Sequence, residues 1–248
     1  MKNLLVLFSF LVSLSFSQSE QYALVLDGSD DYVSVDPMPV RGTFTLSMDL
    51  IVYDVDSYNA FAQHTSSNDL DGWIFGLNGL HPRFISLDES WGGENWVVDY
   101  YEIPLGELFN ITLVSNAGHL SLYVDYDFIG EYQVSNIWGT GSNREFKIGW
   151  WDSGANQYFT DMAIFNYSYT EDAVSELDLV GYNYSQMNYN GFSFSFDNDT
   201  GNTLQDTSNN NDGDVFGGSN ANWELFTFGC SDNYACNYDG SEINDGSC

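Results

Sequence analysis

Basic residues are scarce in this chain: 5 Lys and Arg stand against 36 Asp and Glu in 248 residues, a formal net charge of −31. Such a surface repels nucleic acid and anionic membranes, which argues against both as partners. Cysteine is nearly absent, with 3 residues, and all of them (Cys230, Cys236 and Cys248) lie close to the C-terminal end. Beyond Phe16 no apolar run is long enough to cross a bilayer as a helix, so no membrane insertion is expected. A catalytic constellation is also missing. The 3 His residues, His64, His81 and His119, fall in expected loops with no Cys or carboxylate at useful spacing. There is no Gly-rich phosphate loop. An enzyme is therefore not expected.

The single long apolar stretch, Leu4 to Phe16, follows the cationic head Met1-Lys2-Asn3 and precedes Ser15-Phe16-Ser17, a small-x-small spacing. That pattern reads as a secretory signal peptide over residues 1–17, too short for a membrane anchor. It places the mature chain outside the cytoplasm, secreted or at the cell surface. An acidic excess suits salty surroundings, where self-repulsion is screened within about 8 Å. A handful of the carboxylates could also serve a divalent cation.

What the chain has in abundance is aromatic residues, 17% of the total, as 7 Trp, 17 Tyr and 18 Phe. These suit strands and stacking surfaces. The organising stretch is Tyr22 to Val35. Apolar positions at Tyr22, Leu24 and Leu26, and again at Tyr32, Val33 and Val35, flank an Asp27-Gly28 turn signal, which predicts two strands meeting at a tight loop. Phe44, Leu46, Met48, Leu50 and Val52 alternate with Thr45, Ser47 and Asp49 along the next strand. Further strands are expected at 72–77, 83–87, 95–101, 111–115, 120–124, 128–134, 146–150 and 161–166. Only Thr170 to Leu179 reads as a helix, with Thr170 as N-cap. Many short strands at this spacing predict an all-β, two-sheet antiparallel β-sandwich with one short helix. Residues 18–228 would form this domain, and 229–248 a separate Cys-rich tail.

Five segments in order carry a family resemblance. Ala23-Leu-Val-Leu-Asp-Gly-Ser-Asp-Asp-Tyr-Val33 resembles the opening strands of laminin-G-like jelly-roll domains in the concanavalin-like superfamily. Thr43–Val55 is similar to that family's second long strand, and Leu120-Ser-Leu-Tyr-Val-Asp125 to its Leu-x-Leu-Tyr-Val-Asp-Gly hairpin. Phe159-Thr-Asp-Met-Ala-Ile-Phe-Asn166 resembles the penultimate strand, and Phe194 to Gly213 with Trp223 the late Asp- and Asn-rich loop. Tyr126 stands where the family has the hairpin glycine, so that turn is expected to be longer or of another type. Leu108-Phe109-Asn110 replaces its Trp-x-His. The resemblance implies a jelly roll with a Ca²⁺ tying the first strand's loop to a late strand, at Asp27 and Asp161. The alternative for Asp27 is a turn cap. Asp30 and Asp31 are expected to be solvated.

Glucan-cleaving members of that superfamily carry Glu-x-Asp-x-x-Glu. Here Glu176-Leu-Asp-Leu-Val-Gly181 lacks the last Glu. Gly229 to Cys248 resembles a Cys-rich repeat near the C-termini of secreted marine bacterial proteins. Its three cysteines are disulfide candidates that cannot all pair within the chain. For binding, Trp91, Trp96 and Trp151 with Asp152 put indoles beside polar groups, the combination a sugar site needs. Trp138, Trp150 and Trp223 are expected to pack between the sheets. The reading is a non-catalytic binding module for an extracellular polysaccharide or glycoprotein. Its rivals are a structural adhesion spacer of a larger surface protein and a degenerate glycoside hydrolase.

Overall fold

A computed structural model describes residues 19–56, 58–65, 71–87, 93–137, 139–152, 156–171, 173, 191–194, 196, 201–207, 211–217, 222–234 and 239–244. The chain divides into two compact units, Gln21–Leu225 and a smaller one made of Met1–Glu20 and Phe226–Cys248.

The larger unit is an all-β sandwich. Its strands in chain order are β1 (Ser19–Asp27), β2 (Tyr32–Pro39), β3 (Phe44–Val52), β4 (Asn59–Thr65), β5 (Gly72–Asn78), β6 (His81–Leu87) and β7 (Glu94–Val97). There follow β8 (Phe109–Asn116), β9 (His119–Val124), β10 (Asp127–Gln133), β11 (Asn143–Ile148), β12 (Trp150–Asp152), β13 (Gln157–Phe159) and β14 (Asp161–Thr170). The last are β15 (Gly191–Phe194), β16 (Thr203–Leu204) and β17 (Gly213–Phe216). One sheet runs β10-β9-β8-β3-β14-β1, with β15 also on β14; the other runs β16-β17-β2-β11-β4-β5-β6-β7. β12 and β13 form a separate two-stranded ribbon.

Strand periodicity explains the layers. Side chains alternate between faces, so every second residue of a half-buried strand must be apolar. In β3 the alternate set Phe44, Leu46, Met48, Leu50 and Val52 is fully buried in the main core. Of the intervening positions Thr45, Ser47 and Asp49 are polar and Ile51 is apolar; Ser47 and Asp49 bond to neighbouring strands. Asn110 Nδ2 donates to Asp49 Oδ1 at 2.7 Å, Asn166 Nδ2 donates to Asp49 Oδ2 at 3.2 Å, and the Ser47 and Thr112 hydroxyls meet at 2.8 Å. Burial pushes the Asp49 carboxyl up, and the two asparagine donors pull it partly back.

The opening stretch departs from expectation. β1 and β2 do not pair with each other. β1 pairs antiparallel with β14, whereas β2 pairs with β11 and β17 in the other sheet. The Asp27-Gly28 link is thus a crossing between layers rather than a hairpin. Both strands need one apolar face, and Leu24, Leu26, Val33 and Val35 all bury theirs in one core. Placing the strands in opposite sheets achieves that.

The β9–β10 connection also differs from expectation. It is a two-residue turn in which Asp125 and Tyr126 both adopt positive φ, 49° and 67°. That is the geometry of the tight hairpin turn that usually selects glycine. Tyr126 therefore takes the left-handed conformation itself, without a longer loop.

His64 lies in β4 rather than in a loop. It is fully buried against Trp73, Phe146 and Tyr169, with Nε2 at 3.1 Å from the Met38 carbonyl oxygen. Desolvation pushes its pKa down to about 4. Thr170, the expected helix N-cap, is the last residue of β14, and most of the expected helix lies outside the described residues. The same is true of the signal peptide and of Glu176 to Gly181. Among the described residues no helix is long and apolar enough to cross a membrane.

In the smaller unit, the end of β18 (Asn222–Gly229) lies parallel to β19 (Ile243–Asn244), with Phe228 opposite Ile243. Cys230 is buried there; Cys236 and Cys248 lie outside the described residues.

Candidate functional site

Two features of the larger unit meet on the same pair of connections, residues 53–60 and the β12–β13 ribbon. The first is an acidic cleft at one end of the first sheet. Asp27 closes β1 and Asp161 opens β14, and the antiparallel register sets these two residues directly opposite each other. The backbone N–H of Tyr53 donates to the Asp161 carbonyl at 3.0 Å, which brings the segment after β3 alongside. The resulting open cleft of about 120 Å³ is lined by Asp27, Gly28, Asp54, Val55, Asp56, Asn59, Phe159 and Asp161. Gly28 has φ +71°, and a Cβ there would sit 3.0 Å from the Asp161 Cβ. Glycine thus allows the turn to close onto the late strand.

Electrostatics in this cleft are unfavourable as they stand. Like charges directly opposite in a sheet destabilise it. Burial, then the charges of Asp54 and Asp27, push the Asp161 carboxyl above its usual range. Asp27 also caps its own turn, with Oδ1 accepting the Ser29 N–H at 2.8 Å. Capping occupies one lone pair of that carboxylate and leaves others for a ligand.

Asp30 is exposed, in line with the sequence. Asp31 is not: only 2% of it is accessible, its Oδ2 accepts the Asp27 N–H at 3.2 Å, and a Cβ at Gly217 would collide with its Oδ1. Burial is the main cause of its raised pKa. The sequence reading of Asp31 as solvated is therefore corrected. Asp27, Asp30 and Asp31 bring one carboxylate oxygen each within 4.8 Å of one another.

The second feature is an aromatic platform on the outer face of the second sheet. Val33, Phe146, Phe75 and Phe84 point into the core, so the alternate positions Ser34, Lys147, Ile74, Ile85 and Arg83 point away from it. After β11, Gly149 turns the chain at φ +79°, and the β12–β13 ribbon folds back over this face. There Trp151 and Tyr158 pack on Ala60, Ile74, Ile85 and Leu87. Tyr58 is 38% exposed and meets Trp151 edge-on at 4.9 Å, with Tyr158 also at 4.9 Å. The Arg83 guanidinium lies 5.8 Å from the Tyr58 ring centroid and 5.2 Å from that of Trp151. Its Nε donates to Asn95 Oδ1 at 2.8 Å. Gly76 stands opposite Arg83, and a side chain there would strike the Asn59 carbonyl oxygen.

One residue couples the two features. The Thr160 hydroxyl accepts the Ala60 N–H at 3.0 Å and donates to the Ala60 carbonyl at 3.0 Å. Asp161 and Asn59 of the cleft are the chain neighbours of this clamp, and Tyr158 and Tyr58 of the platform lie one residue further from it.

The residues singled out from the sequence are distributed unevenly. Asp27 and Asp161 come together in the cleft. Trp151 is a platform residue, 7% exposed, and Asp152 is half-buried beside it with its N–H donated to Gln63 Oε1 at 3.0 Å. Trp96 is placed in the main core, stacked on Tyr132 with 5.8 Å between ring centroids. Trp91 and Trp138 lie outside the described residues. Trp150 packs against Tyr32 at 5.0 Å under Lys147, whose Nζ lies 3.4 Å above its ring. Tyr32 alternates with the core-facing Val33, so Trp150 is seated away from the space between the sheets where it was expected. Trp223 is half-buried against the core, with Nε1 donating to the Gly201 carbonyl at 2.7 Å. Sequence reading missed Tyr58, Arg83, Asn95 and Tyr158. Their only signal is the alternation that points Arg83 away from Phe84.

No protein-family model matches the sequence, and no curated protein matches it. Solved structures do resemble the fold. A protein of Bacteroides ovatus ATCC 8483 whose name proposes carbohydrate binding aligns over 84% of this chain and 60% of its own, at 14% identity and a TM-score of 0.58. The chain thus spans about 60% of that protein's length. A heptameric SAP-like pentraxin from Limulus polyphemus aligns over 63% of this chain and 78% of its own, at 12% identity and a TM-score of 0.49. Botulinum neurotoxin type C, whose uptake into cells depends on interaction with two ganglioside molecules, aligns over 66% of this chain and 44% of its own, at 12% identity and a TM-score of 0.45. The likeness to the Bacteroides protein is one of fold, an all-β sandwich consistent with a jelly roll.

Proposed function

We propose that this chain is a non-catalytic binding module, secreted or displayed at the cell surface, that binds carbohydrate and carries a structural calcium ion. The observation that carries this reading is the exposed Tyr58 ring, backed by the buried Trp151 and by Tyr158, beside Arg83 and Asn95. Sugar rings present apolar faces that stack on aromatic rings and hydroxyls that seek fixed polar partners. The fold it shares with the Bacteroides protein lends support.

Calcium fits the cleft by its donor chemistry. Ca²⁺ takes six to eight oxygen ligands. Asp27, Asp54, Asp56, Asp161 and Asn59 offer only oxygens toward a cation, since an amide oxygen serves and its nitrogen does not. Bound there, the ion would supply positive charge between two opposed carboxylates and join β1 to β14. In the smaller unit Cys230 is disulfide-bonded, which supports a stapled tail with Cys236 or Cys248 as partner and an oxidising location. The polysaccharide or glycoprotein partner, adhesion and secretion all belong to this proposal.

The test is binding of the full mature chain to a glycan array, with calcium and with EDTA. Signal on a defined set of glycans, lost when Tyr58 and Trp151 are replaced by alanine, is the expected result. A flat array in calcium would overturn the carbohydrate reading and leave the spacer role. Unchanged thermal stability in EDTA would overturn the calcium.

A further inference from the structure

Four of the chain's basic residues lie in the described part of the structure, and three of them are matched by a carboxylate. Arg41 pairs with Glu171 at 2.8 Å, Arg144 holds both oxygens of Asp71 at 2.8 Å, and Lys147 meets Glu145 at 2.9 Å. Arg83 is the exception among the described residues. Its Nε bonds an amide oxygen, Asn95 Oδ1, its guanidinium lies 5.8 and 5.2 Å from the centroids of the contacting Tyr58 and Trp151 rings, and among the described residues its two terminal nitrogens have no protein acceptor. In so acidic a chain, a half-buried guanidinium with no carboxylate beside it among the described residues stands out. Partial burial already strips some of its water, so an incoming anion meets a charge that is poorly compensated.

We infer that Arg83 recognises an anion and that the saccharide taken by this platform carries an acidic group, a uronate carboxylate or a sulfate ester. This rests on the carbohydrate reading above and narrows it to a ligand class. The geometry supplies each requirement. A guanidinium offers two parallel N–H donors in a fixed plane, which match the paired oxygens of a carboxylate or sulfate. Asn95 fixes the plane through Nε, and the Tyr58 and Trp151 rings on one side attract the cation. Tyr58, 38% exposed, offers ring surface to the sugar that bears the acid. Glycine at position 76 keeps the sheet surface opposite Arg83 free of a side chain. The net charge sets a limit on the ligand. At −31 the molecule repels a dense polyanion at long range, so the acid is an isolated or terminal one on an otherwise neutral glycan.

The test uses the full mature chain in calcium-containing buffer and three probes of one neutral trisaccharide. In the first it is capped by a single glucuronate, in the second by the methyl ester of that glucuronate, and in the third by a single sulfate ester. The expected result is that one or both charged probes bind at least about ten-fold tighter than the methyl ester. Arg83→Gln should erase that preference, and Tyr58→Ala should weaken all three probes together. Tighter glucuronate than sulfate names the carboxylate as the source, and the reverse names the sulfate. Equal binding of all three probes to the wild type would overturn the inference while leaving the carbohydrate module intact. That comparison needs no variant, so poor folding of Arg83→Gln cannot obscure it. Preference retained in a folded Arg83→Gln would also overturn it. If no probe binds and the glycan array is flat, the carbohydrate reading fails with it.

Discussion

The cleft and the platform are built from the same two connections, yet they solve opposite electrostatic problems. In the cleft four aspartates converge with no basic side chain among the lining residues. On the platform a guanidinium lies to one side of two contacting aromatic rings, with no carboxylate beside it among the described residues. Each is an uncompensated charge in the isolated chain, and each is relieved by an ion or group of the other sign. The difference teaches where function is to be sought. A buried charge matched within the protein, such as Arg144 on Asp71, belongs to stability; one left unmatched at a cleft or face belongs to binding.

Calcium withdrawal should give the largest effect and divide the two features. At a calcium concentration 100-fold above its Kd, binding contributes about 2.7 kcal/mol, which for a domain of this size is roughly 5–10 °C in Tm. EDTA should remove that from the wild type and from Arg83→Gln alike. Asp161→Asn should lose the response and, in EDTA, melt higher than the wild type, because it removes one of two opposed charges. Differential scanning calorimetry with and without EDTA checks both, and a calcium response that survives in Asp161→Asn would place the ion elsewhere.

Next in size is the clamp that joins the two. Thr160→Val leaves the Ala60 N–H and carbonyl buried without their hydroxyl partner, a cost of about 2 kcal/mol. Denaturant titration should show that loss, and both calcium affinity and glycan affinity should fall. A variant that loses only one of them would show that the features are mechanically independent.

How far this was legible in the sequence depends on the range of the interaction. The apolar alternation of Phe44 to Val52 is local and announced its strand directly. The Asp27–Asp161 pair came through resemblance, because nothing local to Asp27 says which distant strand it faces. The β1–β2 link was misread as a hairpin for the same reason: Asp-Gly reports a turn but not which sheet the next strand joins. Arg83 was invisible as a site. Its partners arrive from Tyr58, Asn95 and a ribbon some seventy residues later, and only the strand register assembles them. Among the indoles, Trp96 and Trp151 share the same sequence signature, and packing alone sent one to the core and the other to the outer face.

Tyr126 provides a control remote from the comparison. A non-glycine residue in the left-handed region carries about 1–2 kcal/mol of strain, so Tyr126→Gly should stabilise the fold by about 1 kcal/mol and leave calcium and glycan binding unchanged. Equilibrium unfolding measures it; a destabilised variant would mean that the half-exposed ring contributes more than its backbone costs.

The remaining test is in pH, and its sign separates two groups. His64 has a pKa near 4 in the fold against about 6.5 when unfolded. Its contribution to stability is fully present above pH 6.5 and is lost as pH falls toward 4. Asp161 works the other way. Its folded pKa is raised, so in the calcium-free protein the charge penalty is present above that pKa and is relieved as pH falls through it. In EDTA, the advantage of Asp161→Asn over the wild type should therefore shrink on acidification, while both share the loss from His64. Melting curves between pH 7 and 4 check this, and an advantage that does not change would remove Asp161 from the titration.

Finally, the first strand has to wait for its neighbour. Gln21 Nε2 donates to the Phe165 carbonyl, and those two residues are 144 positions apart. β1 can take its place only after most of the domain has been synthesised and arranged, the kind of long-range pairing that makes β-rich chains slow to fold. A cation held between Asp27 and Asp161 would therefore act late, as a latch. It would close one of the longest loops in the domain, at an entropy cost that grows only slowly with loop length, and would leave the chain easier to open wherever calcium is scarce.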